Sequence, residues 1–344
     1  MIDPQDIRDQ ARSLLESGEV RLVLGYRDST AGPMAAPAFV SRPEDADDLT
    51  WDPTCVHNLA LYLVDECKKQ AAAGEGGDRR PVALVAKGCD SRGIVVLLQE
   101  KYFSRDDVRI LGVSCERTGV IDQRKLVQRL DGRTADATAF TGADIFRITT
   151  DDGDIEIPAR EILADRCLEC RAPSPAVNDI LFGEAVERTY DESFHALEAA
   201  ERAFGDAPWT FWRHQFDRCL RCYACRSVCP MCYCEECVVD SIVFNVSPDT
   251  SAEEKANRIK WIERSAVTSE NAGYHLVRAL HLAGRCIDCG ECERVCPVNI
   301  PLRLLNSKLE KEAYEAFGYR PGTDADLPSL VASFRDDDPN DFIR

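Results

Sequence analysis

The sequence has no run of 18 or more apolar residues, which excludes a membrane-spanning helix of ordinary length. Its start, MIDPQDIRDQARS, lacks the basic and apolar segments of a signal peptide, so we expect a cytoplasmic protein. Lys and Arg number 42 against 60 Asp and Glu, and the net charge of −18 argues against a nucleic-acid partner. No G-x-G-x-x-G after a strand, no P-loop and no H-E-x-x-H occurs, which argues against a self-contained NAD-binding half, an ATPase and a zinc protease.

Cysteine, by contrast, is abundant, with 17 residues in a chain of 344. In a reducing compartment, so many thiols indicate metal or iron-sulfur ligation rather than disulfides. Cysteines are scattered over the first module of the chain and crowd together in the second, between Cys219 and Cys296. A chain of this length, with 44% hydrophobic residues, has enough apolar material for two domains.

The first module contains the pattern of a βαβ unit. Residues 81–86 (PVALVA) and 108–115 (VRILGVSC) predict short strands, and residues 91–103 (SRGIVVLLQEKYF) between them predict a helix. Such a unit consists of two parallel strands joined by a crossover helix. Cys89 and Cys115 follow the carboxyl ends of these strands, at the edge where open α/β sheets bind their ligands. We therefore expect the two thiols to lie side by side.

Simpler patterns indicate the other elements. Residues 19–26 predict a strand, residues 59–73 a helix, and residues 145–159 a β-hairpin with an Asp-Gly turn. In the second module, apolar residues recur at helical spacing, which predicts helix faces packed in a core. These stripes are Phe194, Leu197, Ala200 and Phe204; Leu276, Leu280 and Ala283; and Leu302, Leu305, Leu309 and Ala313.

The predicted fold class is α+β or α/β. An N-terminal α/β domain with a βαβ unit precedes a mainly α-helical domain that carries the crowded cysteines. We place these domains at residues 1–205 and 206–320, followed by an acidic C-terminal tail at residues 321–344. The tail contains RDDDPNDF, and we expect a solvated surface arm rather than a docking segment.

The strongest signal is a cysteine motif that occurs twice. Its spacing, C-x2-C-x2-C-x3-C-P, begins at Cys219 and again at Cys286. Three closely spaced thiolates hold one cluster, and the fourth cysteine of each motif ligates the other cluster. The predicted 4Fe-4S ligand sets are Cys219, Cys222, Cys225 and Cys296, and Cys286, Cys289, Cys292 and Cys229. Structural zinc is the alternative, but zinc prefers two separated cysteine pairs.

The segment between the motifs, residues 230–285, is too long for the compact β-hairpin ferredoxin. It contains the helical stretches TSAEEKANRIKWIERSA and NAGYHLVRALHLAG. Residues 210–318, with the ending RCIDCGECERVCPVNIPLRLLNSKL, resemble the α-helical two-cluster ferredoxin of the heterodisulfide reductase small iron-sulfur subunit and of succinate dehydrogenase iron-sulfur subunits. This resemblance implies two clusters and does not identify a substrate.

The first module resembles a second family. VALVAKGCDSRGIVVLL, ILGVSC and RCLECRAPSPAVNDILFG are similar, in that order, to cysteine-bearing segments of the beta subunit of deazaflavin (coenzyme F-420) reducing hydrogenase and formate dehydrogenase. In that family, the subunit passes electrons between clusters, FAD and a soluble hydride carrier. The matching positions, which imply a third 4Fe-4S cluster, are Cys89, Cys115, Cys167 and Cys170. Zinc on the same thiolates and buried free thiols are the alternatives, and the presence of FAD stays open.

The remaining cysteines are less specific. Cys232, Cys234 and Cys237 are so crowded that we predict a further metal site, either a fourth cluster or zinc, with Cys55 as the candidate fourth ligand. Cys67 lies within a predicted helix and is expected to pack as a small hydrophobic residue.

Three charged or titratable side chains near the cysteines are expected to be structural. Lys87 and Arg92 are predicted to form surface salt bridges, with an anion at the strand ends as the alternative partner. His281 is the histidine nearest to a predicted cluster, on the helix that enters Cys286, and a packing role is favoured for it.

Taken together, these patterns predict an iron-sulfur electron-transfer subunit of a cytoplasmic, anaerobic oxidoreductase complex. The resemblance implies partner subunits of the formate dehydrogenase, hydrogenase or heterodisulfide reductase kind, in which catalysis takes place. One alternative is a complete iron-sulfur flavoenzyme that reduces a deazaflavin or another soluble acceptor. A zinc-stabilised scaffold without a redox role is the alternative from another class.

Overall fold

The structure is a computed structural model that describes residues 2–30, 32–115, 119–141, 144–186, 194–234, 237, 239, 251–253, 262 and 265–334. The chain forms two compact units. The first unit comprises Met1–Asp191 and Gly322–Ala332, and the second comprises Glu192–Pro321 and Ser333–Arg344. In the described part of the chain, no helix is long and apolar enough to cross a membrane.

The first unit is built on a five-stranded sheet with the strand order β2-β1-β3-β4-β8. Its strands are β1 Leu22–Arg27, β2 Ala36–Val40, β3 Val82–Ala86, β4 Val108–Val113 and β8 Ile180–Phe182. β2 is antiparallel to β1, whereas β1, β3, β4 and β8 run parallel to one another. The carboxyl ends of these four strands therefore lie at one edge of the sheet.

Helices cover both faces of this sheet. They are α1 Pro4–Glu16, α2 Ala60–Ala72 and α3 Gly88–Gln99, and 3-10 turns occur at Pro43–Asp48, Gly74–Gly76 and Arg105–Asp107. Alternate strand residues enter two cores, so that Leu84 packs with α2 and Val85 with α1. Full burial of one such side chain contributes about 1.5–3 kcal/mol. The predicted βαβ unit of β3, α3 and β4 is confirmed.

A second, three-stranded antiparallel sheet completes the first unit. It consists of β5 Ala135–Phe140, β6 Ile145–Thr150 and β7 Gly153–Pro158, with α4 Gln123–Leu130, α5 Ala159–Ile162 and α6 Asp165–Leu168 around it. The predicted hairpin is present in β6 and β7, and its turn places Gly153 at φ 107°. Glycine adopts this backbone conformation without steric cost.

The second unit is helical in its described part. Its helices are α7 His195–Phe204, α8 Pro208–Asp217, α9 Ala224–Ser227, α10 Thr268–Leu282, α11 Glu291–Arg294 and α12 Leu302–Phe317. An α/β unit followed by a helical unit is the predicted fold class, which is confirmed. Of the predicted apolar stripes, the one on α12 is buried or half-buried, and the one on α7 is also partly buried.

The prediction that Leu276, Leu280 and Ala283 form the buried face of α10 is wrong. Leu276 and Leu280 are 42% and 62% exposed. The buried face of this helix is largely polar and includes Asn271, His275 and Arg278. An apolar pattern could not identify that face, because polar side chains on it contact thiols and backbone carbonyls, while its smaller apolar residues, Ala272 and Ala279, pack in a hydrophobic core.

The compact units differ from the predicted domain ranges in two places. Helix α7 belongs to the second unit, where Lys308 and Lys311 of α12 form ion pairs with Glu201 and Glu198 of α7. Residues 322–332 of the predicted tail belong to the first unit, where Ser329 is only 4% exposed. The rest of that tail, including RDDDPNDF, and most of the predicted helix over TSAEEKANRIKWIERSA lie outside the described residues.

Candidate functional site

The two cysteine motifs of the second unit follow the same backbone course. In each, the residues before and after the second cysteine have positive φ: Arg221 and Tyr223 at 56° and 60°, Asp288 and Gly290 at 52° and 68°. A short helix follows each pair, α9 in the first motif and α11 in the second. Left-handed backbone is costly at residues other than glycine. Its recurrence at equivalent positions indicates that both loops are shaped around the same kind of group.

The thiols of the first motif lie together with the last cysteine of the second. Burial raises the pKa of Cys219; the N–H of Arg221, 3.4 Å from its Sγ, lowers it, and nearby Cys225 and Cys296 raise it. The pKa of Cys225 is likewise raised by burial, and Cys296 and Cys222 act on it in the same direction. The structure therefore brings together the four thiols predicted for one cluster.

The thiols of the second motif lie with the last cysteine of the first. One pocket is lined by Cys286, Cys289, Cys292 and Cys229. It encloses about 380 Å³ of atom-free space, including the solvent at its mouth. Burial raises the pKa of Cys292 well above its ordinary value, and the charges of Cys289 and Cys286 add to that effect. The pocket therefore brings the three leading cysteines of the second motif together with Cys229 of the first.

Helix α10 supports the first motif with a polar face. The face comprises Asn271, Tyr274, His275 and Arg278, spaced at helical intervals. The Asn271 amide nitrogen donates to the carbonyls of Phe216 and Cys219, each at 2.9 Å. The Tyr274 hydroxyl lies 3.4 Å from Cys225 Sγ. These contacts fix the start of the motif and the thiol of Cys225.

His275 is the histidine that contacts a thiol, and the sequence analysis missed it. Its Nε2 lies 3.3 Å from Cys219 Sγ, whereas His281, which was singled out, is exposed at the surface. Burial lowers the pKa of His275 to about 3, and the charges of Arg278 and Arg221 contribute. A neutral imidazole with its proton on Nε2 donates to a thiolate. Helical spacing from Asn271 was the signal that could have identified it.

Helix α12 supports the second motif through an ion pair. The Arg303 guanidinium binds both carboxylate oxygens of Asp288, at 2.7 and 2.8 Å. The backbone N–H of Arg303 also donates to Glu293, at 2.9 Å. A two-point arginine–carboxylate contact fixes orientation as well as distance. The ion pair thus holds the motif at the residue whose positive φ shapes its loop.

The first unit contains a separate group of four cysteines. Cys89 lies in the first turn of α3 and Cys115 just after β4, both at the carboxyl edge of the sheet. Cys167 lies in α6, and Cys170 follows it. Burial raises the pKa of Cys115, and the charges of Cys170 and Cys167 raise it further; Cys115 acts in the same way on Cys89. The structure therefore brings the four predicted thiols of this unit together.

Two glycines permit this assembly. A Cβ at Gly88 would lie 1.7 Å from the carbonyl oxygen of Ala172, so only glycine lets the two segments approach. Gly119 has φ +58°, and a Cβ there would lie 2.8 Å from Cys167 Cβ. The adjacent N–H of Val120 lies 3.4 Å from Cys167 Sγ. Close backbone packing thus positions the cysteine loop at the sheet edge.

Lys87 does not form the predicted surface salt bridge. It is 1% exposed, and its Nζ lies 3.1 Å from an oxygen of Asp90 and 2.7 Å from the carbonyl of His57. It also contacts the Tyr26 hydroxyl. Burial lowers the pKa of Lys87, but Asp90 and then Cys89 outweigh it, so that the pKa is raised. Arg92 is also buried. Local sequence does not indicate how deeply the end of this strand is buried.

The other cysteines divide into core and loop residues. Cys55 is fully buried in the core of the first unit, and burial raises its pKa well above the ordinary value, as for an inert packed thiol. Cys67 packs against the same core, as predicted. Cys232 is next to Cys229 in the second unit, and Cys234 is exposed. Cys237 packs against a group of buried hydrophobic side chains.

Over the described ranges, no group of three or more His, Cys, Asp or Glu side chains is placed to hold a single metal ion.

A comparison with protein families finds a match in the second unit. Residues 215–300 match the family described as 4Fe-4S dicluster domain. This range contains both motifs and all the thiols of the crossed groups. The chain therefore contains an iron-sulfur domain of the two-cluster class.

Two proteins similar to this chain are beta subunits of F420-dependent formate dehydrogenases. The F420-dependent formate dehydrogenase subunit beta of Methanocaldococcus jannaschii is 29% identical over 119 residues, 35% of this chain and 27% of that protein. The F420-dependent formate dehydrogenase 1 subunit beta of Methanococcus maripaludis is 22% identical, covering 92% of this chain and 90% of that protein. The predicted resemblance to the deazaflavin-linked beta-subunit family is confirmed, although the chain spans only about a quarter of the first relative's length.

A solved structure shows a weaker likeness. A chain of the F420-reducing [NiFe] hydrogenase complex from Methanosarcina barkeri matches 50% of this chain and 64% of its own length. The identity is 13% and the TM-score is 0.36.

Proposed function

We propose that this chain is the iron-sulfur electron-transfer subunit of an oxidoreductase complex of the formate dehydrogenase or hydrogenase kind. It relays electrons between a catalytic partner subunit and a soluble carrier or flavin. The observation that carries this proposal is the crossed grouping of thiols, in which Cys229 lines the pocket of the second motif and Cys296 lies beside the first.

The thiol groups of the second unit fit two 4Fe-4S clusters. One would be held by Cys219, Cys222, Cys225 and Cys296, and the other by Cys286, Cys289, Cys292 and Cys229. When bound, such clusters supply one-electron transfer. The chain itself supplies the thiolates, backbone N–H groups directed at sulfur, and burial that excludes water.

The first unit would hold a third cluster. Cys89, Cys115, Cys167 and Cys170 meet at the carboxyl edge of the parallel strands, where α/β sheets bind ligands. A redox site at this edge can meet an incoming carrier or partner, and the second unit then conducts electrons away from it. We assign no catalytic residue to this chain, since oxidation of the substrate would take place in the partner.

The experiment is an iron and acid-labile sulfide analysis of the full chain, purified without oxygen. Three clusters require about 12 of each per chain. About eight would mean that the first unit holds no cluster, and about sixteen would assign a fourth cluster to Cys232, Cys234 and Cys237. A colourless protein that contains zinc and no sulfide would refute the proposed function and favour the scaffold.

A variant separates the roles of the two units. Cys89→Ser should abolish electron exchange with the partner or carrier that docks on the first unit, while dithionite still reduces the two clusters of the second. Full turnover of this variant in a reconstituted complex would reduce the function to a two-cluster relay. Flavin released by acid from the wild-type chain would instead favour the complete flavoenzyme.

A further inference from the structure

Arg278 reaches both thiol groups of the second unit. It lies on the polar face of α10 and is 3% exposed. One terminal nitrogen of its guanidinium donates to the carbonyl oxygen of Cys225, in the first motif, at 3.0 Å. The same side chain lines the pocket that contains Cys229 and the three leading thiols of the second motif. One buried cation is therefore in contact with both sites.

The largest electrostatic influences that raise the pKa of Arg278 are those of cysteines. Burial alone would lower the pKa of its guanidinium, but Cys232, Cys229, Cys225 and Cys292 raise it well above the ordinary value. Arginine stays protonated in proteins, so the positive charge is permanent. An uncompensated buried charge costs several kcal/mol, which negative charge in the adjacent sites would offset.

One donor of Arg278 is left without a partner. Its Nε–H is buried and makes no hydrogen bond within the described ranges. A buried N–H without an acceptor is rare and costs about 1–3 kcal/mol. A cluster bound in the adjacent pocket would bring sulfur acceptors close to this donor.

We propose that Arg278 is an electrostatic tuning residue shared by both iron-sulfur sites, raising the reduction potential of each. The inference rests on the proposed function, because it requires clusters in both sites. One-electron reduction adds one negative charge to a site and transfers no proton to the guanidinium. A fixed cation in contact with both sites stabilises the reduced form of each.

His275 provides an internal contrast. It lies on the same helix face, and the thiol that it contacts is that of Cys219, in the first motif. A hydrogen bond to one thiolate stabilises the reduced state of that site alone. Loss of Arg278 should therefore lower the reduction potentials of both sites, whereas loss of His275 should lower only that of the site that contains Cys219.

The test is a redox titration of the full chain followed by EPR, with dithionite as reductant and without oxygen. In Arg278→Gln, both potentials should fall, with the ratio of reduced to oxidised cluster decreasing about tenfold at a fixed potential, or about 59 mV. In His275→Gln, only the site that Cys219 ligates should shift. An Arg278→Gln protein with full iron content and either potential unchanged overturns the proposal.

A conservative variant covers the case in which Arg278→Gln loses iron. In Arg278→Lys the charge is kept, but the shorter side chain lies farther from both sites. We expect both potentials to fall, by less than the tenfold change, and unchanged potentials would overturn the shared role. A wild-type chain without iron and sulfide would refute the proposed function itself, which distinguishes the two failures.

Discussion

The two cysteine motifs share a backbone but not their surroundings. The first contains the exposed Cys222 and is supported by the amide, phenol and imidazole of α10. In the second, Cys289 and Cys292 are buried, and an arginine of α12 holds the loop through Asp288. The contrast indicates that spacing determines which group binds, whereas the helix packed on each loop determines exposure and charge. Duplication of a motif therefore need not duplicate its redox properties.

Replacing the fourth cysteine of each motif with serine should have the largest effect on the difference between the two sites. Cys229→Ser should remove the cluster held by Cys286 and its neighbours, and Cys296→Ser the one held by Cys219, because each pairs with the other motif. Each variant should lose about four irons per chain, with loss of the corresponding EPR signal. Cys67→Ser, in the first unit, is the control with unchanged iron. If Cys229→Ser instead loses the cluster of its own motif, the crossed grouping is wrong.

Loss of the α12 ion pair should damage the second site alone. Arg303→Met removes the two-point ion pair with the largely buried Asp288, so we expect about 3 kcal/mol of destabilisation and loss of iron from that site. Thermal unfolding and EPR measure the two effects. Lys308→Met, on the same helix, removes only exposed pairs and should change stability by less than about 1 kcal/mol. Equal effects of the two variants would contradict the assigned role of Arg303.

Loss of the α10 amide should damage the first site alone. Asn271→Ala removes the side-chain donor to the carbonyls of Phe216 and Cys219, of which that of Phe216 still accepts from the Cys219 N–H, and we expect a cost of about 1–3 kcal/mol. The first EPR signal should broaden or weaken while the second is preserved. A variant in which the second signal changes more would reverse the assignment of α10 to the first motif.

The smallest expected effect is a difference between the two sites in the rate of iron loss to a chelator. An iron chelator added to the oxidised protein should remove iron from the first site faster, because Cys222 is exposed while Cys289 and Cys292 are buried. The decay of the two EPR signals, recorded after reduction of samples taken over time, measures the difference. Equal rates would mean that exposure of one thiolate does not limit access.

The elements that the sequence predicted correctly are those set by local patterns. The repeated cysteine spacing, the Asp-Gly turn before Gly153 and the apolar strands around Leu84 each need only a few neighbouring residues. The errors concern residues whose environment comes from distant segments. Leu276 was predicted to be buried and His281 to have a packing role, but both are exposed, because the apolar pattern on α10 does not reveal that its polar face packs on the thiols.

Lys87 illustrates the same limit in the first unit. A lysine after a strand is usually solvated, but the turn that contains His57 covers this one, and Asp90 in the first turn of α3 pairs with it. No local feature of the sequence KGCDSR specifies that cover. The grouping of Cys89 with Cys115 was predictable because parallel strands end at a common edge, whereas the approach of Cys167 depends on two glycine contacts far apart in sequence.

The crossing of Cys229 and Cys296 also constrains the order of biosynthesis. Cys296 is the last cysteine of the chain, so the first motif lacks its fourth thiol until nearly all of the second unit has left the ribosome. A cluster inserted earlier into Cys219, Cys222 and Cys225 would have an open iron exposed to solvent and oxygen. Insertion into this unit is therefore expected to follow translation, with both clusters completed in one folding event.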